Sequence, residues 1–148
     1  MFGTVHVSKK LTVFSLGCFL FFLAVCAVML RAAAVDTVMI GGEPYPLRVE
    51  DDSEITAFLA ACGYNASESA EKEIIIPKQW NDTYTAYNDL QREQGFDLAP
   101  YKGKAARQLT YTLRDSSDAA VLLVADGRII AAHRTTMRQG EIPRALIS

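Results

Sequence analysis

The sequence predicts an N-terminal transmembrane helix followed by a small α+β domain of order α-β-α-β-β-β, with two helices packed on an antiparallel sheet. Three observations carry that prediction. Leu11 to Leu30 is an uncharged apolar run flanked by Lys9, Lys10 and Arg31. Two later segments, Glu54 to Cys62 and Gln79 to Gln94, repeat buried-type residues at helical spacing. Three apolar segments between residues 105 and 134 are separated by turn residues, among them Asp126-Gly127.

At about 1.5 Å rise per residue, twenty helical residues span the roughly 30 Å hydrocarbon core of a bilayer. The chain therefore divides into a cytoplasmic tail at 1–10, a transmembrane helix at 11–30, a linker at 31–50 and an extracytoplasmic domain at 51–148. Lys9 and Lys10 precede the span, and the positive-inside tendency keeps the amino terminus in the cytoplasm with the domain outside. The cell membrane is thus the expected location, and the lipid bilayer is a partner through residues 11–30. A cleavable signal peptide is the alternative that the Ala32-Ala33-Ala34 run suits. Its apolar region is ordinarily about 7 to 15 residues, shorter than this one, and Arg31 intervenes. A lipoprotein anchor would need a small residue before its cysteine, but Val25 precedes Cys26.

Residues 32–148 hold 12 lysines and arginines against 17 acids, a net charge of −5, which argues against a nucleic-acid binder. The charge is uneven. Residues 43–73 carry eight acids and two bases, residues 98–148 eight bases and four acids. Either the two halves attract within one fold, or the basic half presents a face to anionic lipid or cell-envelope polymer. Cys62 is the one cysteine beyond the span, so the outer domain holds no internal disulfide.

Gly41-Gly42, Pro44 and Pro46 disfavour a helix, leaving a linker with at most a short extended segment at Thr37 to Ile40. Asp51-Asp52-Ser53 offers N-cap chemistry for the helix from Glu54 to Cys62. Ile55, Phe58, Leu59 and Cys62 form its apolar stripe, and Gly63 is placed to stop it in the left-handed region. Asn65 to Lys72 is polar, a loop, and Glu73 to Ile76 a short strand halted by Pro77. In the second helix Trp80, Tyr84, Tyr87, Leu90 and Gln94 form the buried stripe, with Gly95 as the stop and Asn88, Gln91 and Gln94 as a polar flank toward a cleft.

Three strands follow at about Ala105 to Arg114, Ala119 to Ala125 and Arg128 to Arg134. A two-residue turn pairs Ala125 with Arg128 and Leu122 with Ala131, and a four-residue turn pairs Arg114 with Ala119 and Leu109 with Val124. Both turns place Leu109, Tyr111, Leu122, Val124, Ile129 and Ala131 on one face, with His133 at its end beside Ala120 and Leu113. The other face, with Leu123 and Ile130 among polar residues, is partly solvated or covered by a partner. Met137 to Ser148 is either a short helix or a tail closing the sheet edge.

Within Ile76 to Lys104, Tyr87-Asn88, Leu90-Gln91, Gln94-Gly95-Phe96-Asp97-Leu98 and Tyr101-Lys102-Gly103-Lys104 resemble the bacterial family catalogued as domain of unknown function 4830. The Phe58-Leu59 helix with its Gly63-Tyr64 end and the Asp126-Gly127-Arg128-Ile129-Ile130 hairpin fit the same pattern, so the resemblance spans about residues 53 to 134. It implies a single-span bacterial membrane protein with an outer domain of no assigned activity, and it supplies no catalytic residues. Cys62 departs from the aromatic or polar residue expected at its position.

Candidate chemistry is sparse. His133 is the one outer histidine, with no second histidine or cysteine to complete a zinc site. Glu50-Asp51-Asp52 lacks the spacing of a calcium loop, and no G-x-S-x-G, Walker or dinucleotide pattern occurs. Catalytic residues, metal ligands and cofactors are therefore all read as none. The candidate binding residues are Asn88, Gln91, Gln94, Phe96, Asp97, Tyr101, Lys102 and Lys104, polar and aromatic groups around a helix end and its following loop. They point to a non-enzymatic binding or interaction module with a protein or cell-envelope partner. The alternatives are a small envelope hydrolase or ligand-binding enzyme, and a structural subunit of a membrane complex using Leu123 and Ile130.

Overall fold

The computed structural model describes residues 18–27, 36–114, 116–136, 138 and 141–147, with Glu68 and Ser69 as backbone only. The chain forms two compact units, Met1–Val35 and Asp36–Ser148. In the first, residues 18–27 are helical, and Phe19, Leu20, Phe21 and Phe22 are all exposed. The remainder of the expected span, residues 11–17 and 28–30, lies outside the described residues, as do the expected cytoplasmic tail and residues 31–35. Among the described residues no helix is long and apolar enough to cross a membrane.

The second unit opens with a hairpin, β1 (Thr37–Ile40) and β2 (Glu43–Pro46), where the sequence suggests a linker. Gly41 and Gly42 have φ of 60° and 89°, the positive values a two-residue type I′ turn requires. The register pairs Ile40 with Glu43 and Val38 with Tyr45, so Pro44 and Pro46 fall at the alternate positions, where no N–H is needed by the ladder. Val38 and the following Leu47 are buried in the domain core, which accordingly begins at Asp36 rather than at residue 51.

Helix α1 (Asp52–Ala61) forms as its sequence dictates. Asp51 caps it, accepting from the Ser53 and Glu54 amides, and these bonds with the Ser53 hydroxyl hold its carboxyl below the usual carboxylate range. Ile55, Phe58 and Leu59 are fully buried, and Gly63 ends the helix at φ 87°. The expected loop at 65–72 is instead the first part of one long strand, β3 (Ala66–Ile75), with a bulge between Glu68 and Ala70. It is an edge strand paired on one side only, with β4, and its polar residues meet water; a half-solvated edge carries no apolar alternation to read.

Helix α2 (Asp82–Glu93) is capped by Asn81, which accepts from the Tyr84 amide. A single 3₁₀ turn at Ala99–Tyr101 follows. Strands β4 (Ala105–Leu113), β5 (Ala119–Ala125), β6 (Arg128–Thr135) and β7 (Arg144–Ala145) then complete an antiparallel sheet of order β3-β4-β5-β6-β7. The terminal segment is thus a tail on the sheet edge, with Leu146 buried in the core.

The two registers depart from expectation in instructive ways. Between β4 and β5, Leu109 pairs with Leu122 and Thr112 with Ala119, two residues from the expected pairing. An even shift keeps every side chain on its face, so Leu109, Tyr111, Leu122 and Val124 remain together. Between β5 and β6 the Asp126-Gly127 turn is as expected, with φ of 51° and 67°, and Ala125 pairs with Arg128. A bulge at Leu123/Val124 then inserts one residue, and Leu122 pairs with Ala132 instead of Ala131. That odd shift reverses the faces beyond it. Ala132 joins the first cluster, while Ala131 and His133 turn to the opposite face.

The helices do not share a face. Ile55, Phe58 and Leu59 of α1 pack with Val38, Leu109 and Leu122, whereas Tyr87 of α2 packs with Trp80, Ile76, Leu98, Leu123 and Ile130 on the other side. The face carrying Leu123 and Ile130 is therefore covered by the chain itself, and both residues are buried.

Candidate functional site

The polar flank of α2 is turned inward. Asn88, Gln91 and Gln94 are 5%, 0% and 7% exposed, and they close a gap in the sheet edge instead of facing a cleft. Along the outer side of β6, Leu47 and Val49 bond backbone to backbone near the turn (Ile129 N–H to Leu47 O, Val49 N–H to Gly127 O), and β7 pairs at His133 and Arg134. Ala132 lies between these two partners, and side chains satisfy it. Its N–H donates to Gln91 Oε1 at 2.8 Å, and its carbonyl accepts from Gln94 Nε2 at 3.2 Å. Gln94 Nε2 also donates to Leu90 O, while Gln94 Oε1 accepts from Leu146 N–H at 2.7 Å and Ile147 N–H at 3.0 Å. Gln94 thus uses all four of its hydrogen-bonding positions and does the work of a missing strand peptide. Asn88 Oδ1 accepts from Leu98 N–H and its Nδ2 donates to Asp97 Oδ1, which also accepts from Ala99 N–H. Phe96 is buried at 6.5 Å from the Phe58 ring.

Of the eight residues singled out in the sequence, four are consumed by the fold, Asp97 holds the turn, and Tyr101, Lys102 and Lys104 reach the surface. There they join two residues outside that set, Lys78 and Trp80. Lys102 Nζ sits 3.9 Å from the Trp80 ring centre, and Lys104 Nζ 5.1 Å from that of Tyr101. Lys104 also pairs with Asp126 at 2.9 Å, which raises its pKa. The Lys78 stem lies on Gly103, where an added Cβ would meet Lys78 Cγ at 2.8 Å and displace it, and where the φ of 78° favours glycine. Gly103 N–H donates to Ile76 O and Ile76 N–H to Lys104 O, fixing the loop against the end of β3. Lys78, Lys102 and Lys104 are all exposed. Trp80, expected in the buried stripe of the second helix, precedes its first turn and is half-buried, while Lys78 carries no periodic signal; the bonds of Ile76 to Gly103 and Lys104 bring this segment to the loop.

An aromatic row runs from this surface along α2. Trp80 stacks on Tyr84 at 6.2 Å, Tyr84 meets Tyr87 at 6.4 Å, and Tyr87 meets His133 at 5.3 Å. The Tyr87 hydroxyl hydrogen-bonds His133 Nδ1 at 2.9 Å. Burial depresses the imidazole to about 4, so it is neutral at neutral pH, and burial raises the Tyr87 phenol. Beside this row Tyr84, Tyr87, Leu90, Ile142 and Pro143 line a groove of about 700 Å³. A smaller cleft of about 310 Å³ lies at the start of α1, between Glu50, Asp51, Glu73, Arg107 and Asp126. Burial pushes the Cys62 thiol up to about 12, leaving it protonated and a poor nucleophile. Among the described residues no group of three histidine, cysteine or acidic side chains is placed to hold a metal ion.

Fold and surface together define a small α+β domain whose sheet is covered on both faces and three of whose exposed lysines stand around a fixed turn. The chain belongs to the family described as Domain of unknown function (DUF4830), whose model matches residues 58–134, from α1 to the end of β6. No curated protein and no solved structure matches the chain.

Proposed function

We propose that this protein is a non-enzymatic interaction module, held at the outer surface of the cell membrane by a single span at 11–30, whose contact region is the surface of Lys78, Trp80, Tyr101, Lys102 and Lys104. The observation that carries the reading is the placing of Lys102 over the Trp80 ring and Lys104 over the Tyr101 ring, with the exposed Lys78 packed by its stem on the intervening Gly103. Such a surface suits an anionic cell-envelope partner, since fixed cations steer association and aromatic faces supply contact area. The anchor is supported by the uncharged run of twenty residues and by the exposure of Phe19 to Phe22.

The test uses the full chain in phosphatidylcholine vesicles and soluble polyphosphate as probe. Co-flotation should fall about tenfold in a Lys78→Ala, Lys102→Ala, Lys104→Ala variant, and it should weaken as salt rises. Equal binding by the variant would move the contact elsewhere. Turnover of an envelope substrate that His133→Ala abolishes would reject the non-enzymatic reading.

A further inference from the structure

The groove beside α2 is the largest concavity described above, and nothing in the lysine surface accounts for it. Its walls are carbon. Leu90 and the Tyr84 and Tyr87 rings form one side, Ile142 and Pro143 the other, and Ile142 is 80% exposed. Two polar groups at its margin are engaged, the Tyr87 hydroxyl with His133 and the Glu141 carboxylate with Thr136 N–H, which leaves the Thr83 and Tyr84 hydroxyls as its remaining side-chain polar groups. The α2 backbone is bonded within its own helix. A peptide laid in the groove would leave most of its N–H and C=O groups without a protein partner, at about 1 to 3 kcal/mol for each one that is also shut off from water. A hydrocarbon chain carries no such groups, and a volume of about 700 Å³ is within the range of small-molecule sites.

Charge fixes which way such a chain would lie. Tyr84, on the groove wall, stacks at 6.2 Å on Trp80, whose ring carries Lys102 Nζ at 3.9 Å, so the ammonium is at most about 10 Å from the Tyr84 ring. Lys78 and Lys104 stand around the same turn. Glu141 lines the groove beside Ile142 and Pro143. An anionic head is attracted toward Lys102 and repelled from Glu141.

We propose that the groove holds the alkyl chain of a single-chain anionic amphiphile, with its head group at Lys102. This deepens the reading of the lysine surface and rests on it for the head group only. Dodecanoate bearing an alkyl diazirine serves as the probe, added to the full chain in phosphatidylcholine nanodiscs, with photo-adducts mapped by mass spectrometry. Adducts should concentrate on residues 83–90 and 142–143, and Trp80, the single tryptophan, should report the same titration in its emission. Labelling should fall about fivefold in Leu90→Gln and in Ile142→Gln, the latter at a position too exposed to disturb the fold, and by a similar factor in Lys102→Gln. A dodecyltrimethylammonium analogue should label at about a fifth of the dodecanoate level. Labelling that ignores Ile142→Gln, or a cationic analogue that labels equally, overturns the proposal. Polyphosphate co-flotation separates the two readings. If it survives while groove labelling fails, only the groove assignment falls. If it is lost from the wild type while labelling depends on Leu90 and not on Lys102, the lysine surface falls with the head-group assignment.

Discussion

Replacing Gln94 with leucine removes a side chain of similar size whose four hydrogen bonds join α2, β6 and the terminal tail. Two of the partners are fully inside: the Ala132 carbonyl, in a residue 0% exposed, and the Leu146 amide, in a residue 1% exposed. Neither has another partner within reach of a leucine, and water is excluded from both. A buried backbone group left unpaired costs about 1 to 3 kcal/mol, so the pair costs about 2 to 6 kcal/mol. Greater burial of carbon by leucine offsets about 1 kcal/mol of this. The net loss of about 1 to 5 kcal/mol is a large part of the roughly 5 to 15 kcal/mol that holds an ordinary domain together. Urea titration of residues 36–148, followed by circular dichroism, should show a lower midpoint with an unchanged slope, and Tm should drop by about 10 to 20 °C. Hydrogen exchange should report lost protection at the Leu146 and Ile147 amides first. A loss below about 0.5 kcal/mol would refute the view that Gln94 substitutes for a strand peptide, and would return it to the set of contact residues.

Leu122→Asp should abolish cooperative unfolding, because Leu122 is fully buried at the centre of the sheet and an unpaired carboxylate there costs several kcal/mol; a folded variant of unchanged Tm would contradict the register. His133 gives a pH dependence whose sign is fixed. Its folded pKa of about 4 lies below its ordinary 6.5, so between these values the unfolded state binds more protons. Stability should therefore be complete above pH about 6.5 and fall by up to about 3 kcal/mol as pH drops to about 4. His133→Gln should flatten that slope, and equal slopes in both proteins would remove histidine as the cause. Protease added to intact spheroplasts should remove the domain and leave a small anchor fragment; full protection would contradict the outward orientation.

Much of the local structure was legible because it follows from short-range chemistry. The α1 stripe of Ile55, Phe58 and Leu59 and its Gly63 stop are set within ten or so residues and took their expected places; the cap fell on Asp51 of the Asp51-Asp52-Ser53 cluster, and Cys62, expected in the stripe, is half-buried. So did the Asp126-Gly127 hairpin, since few other residue pairs adopt two successive positive φ values. The equivalent Gly41-Gly42 signal was outweighed by Pro44 and Pro46, whose positions are harmless only because the register sets them at the alternate, unbonded sites.

What tertiary structure alone decided is which side each residue faces and what it meets there. The bulge opposite Leu123 and Val124 moved His133 from the end of one face to the other, against Tyr87, and no property of the strand sequences marks that single inserted residue. The glutamines of α2 look like a solvent-facing flank by composition. They are buried because β7 is only two residues long and leaves the outer edge of Ala132 without a strand partner, a gap bounded by segments about forty to fifty residues along the chain from the glutamines and closed only when the sheet forms. The lysine surface has the same origin. Lys102 and Lys104 are two residues apart in sequence, but Lys78 and Trp80 reach them only because Ile76 bonds across to Gly103 and Lys104. Local sequence determines helices, caps and turns through interactions a few residues apart; the contents of a site depend on hydrogen bonds and packing between segments whose separation along the chain carries no periodic signal.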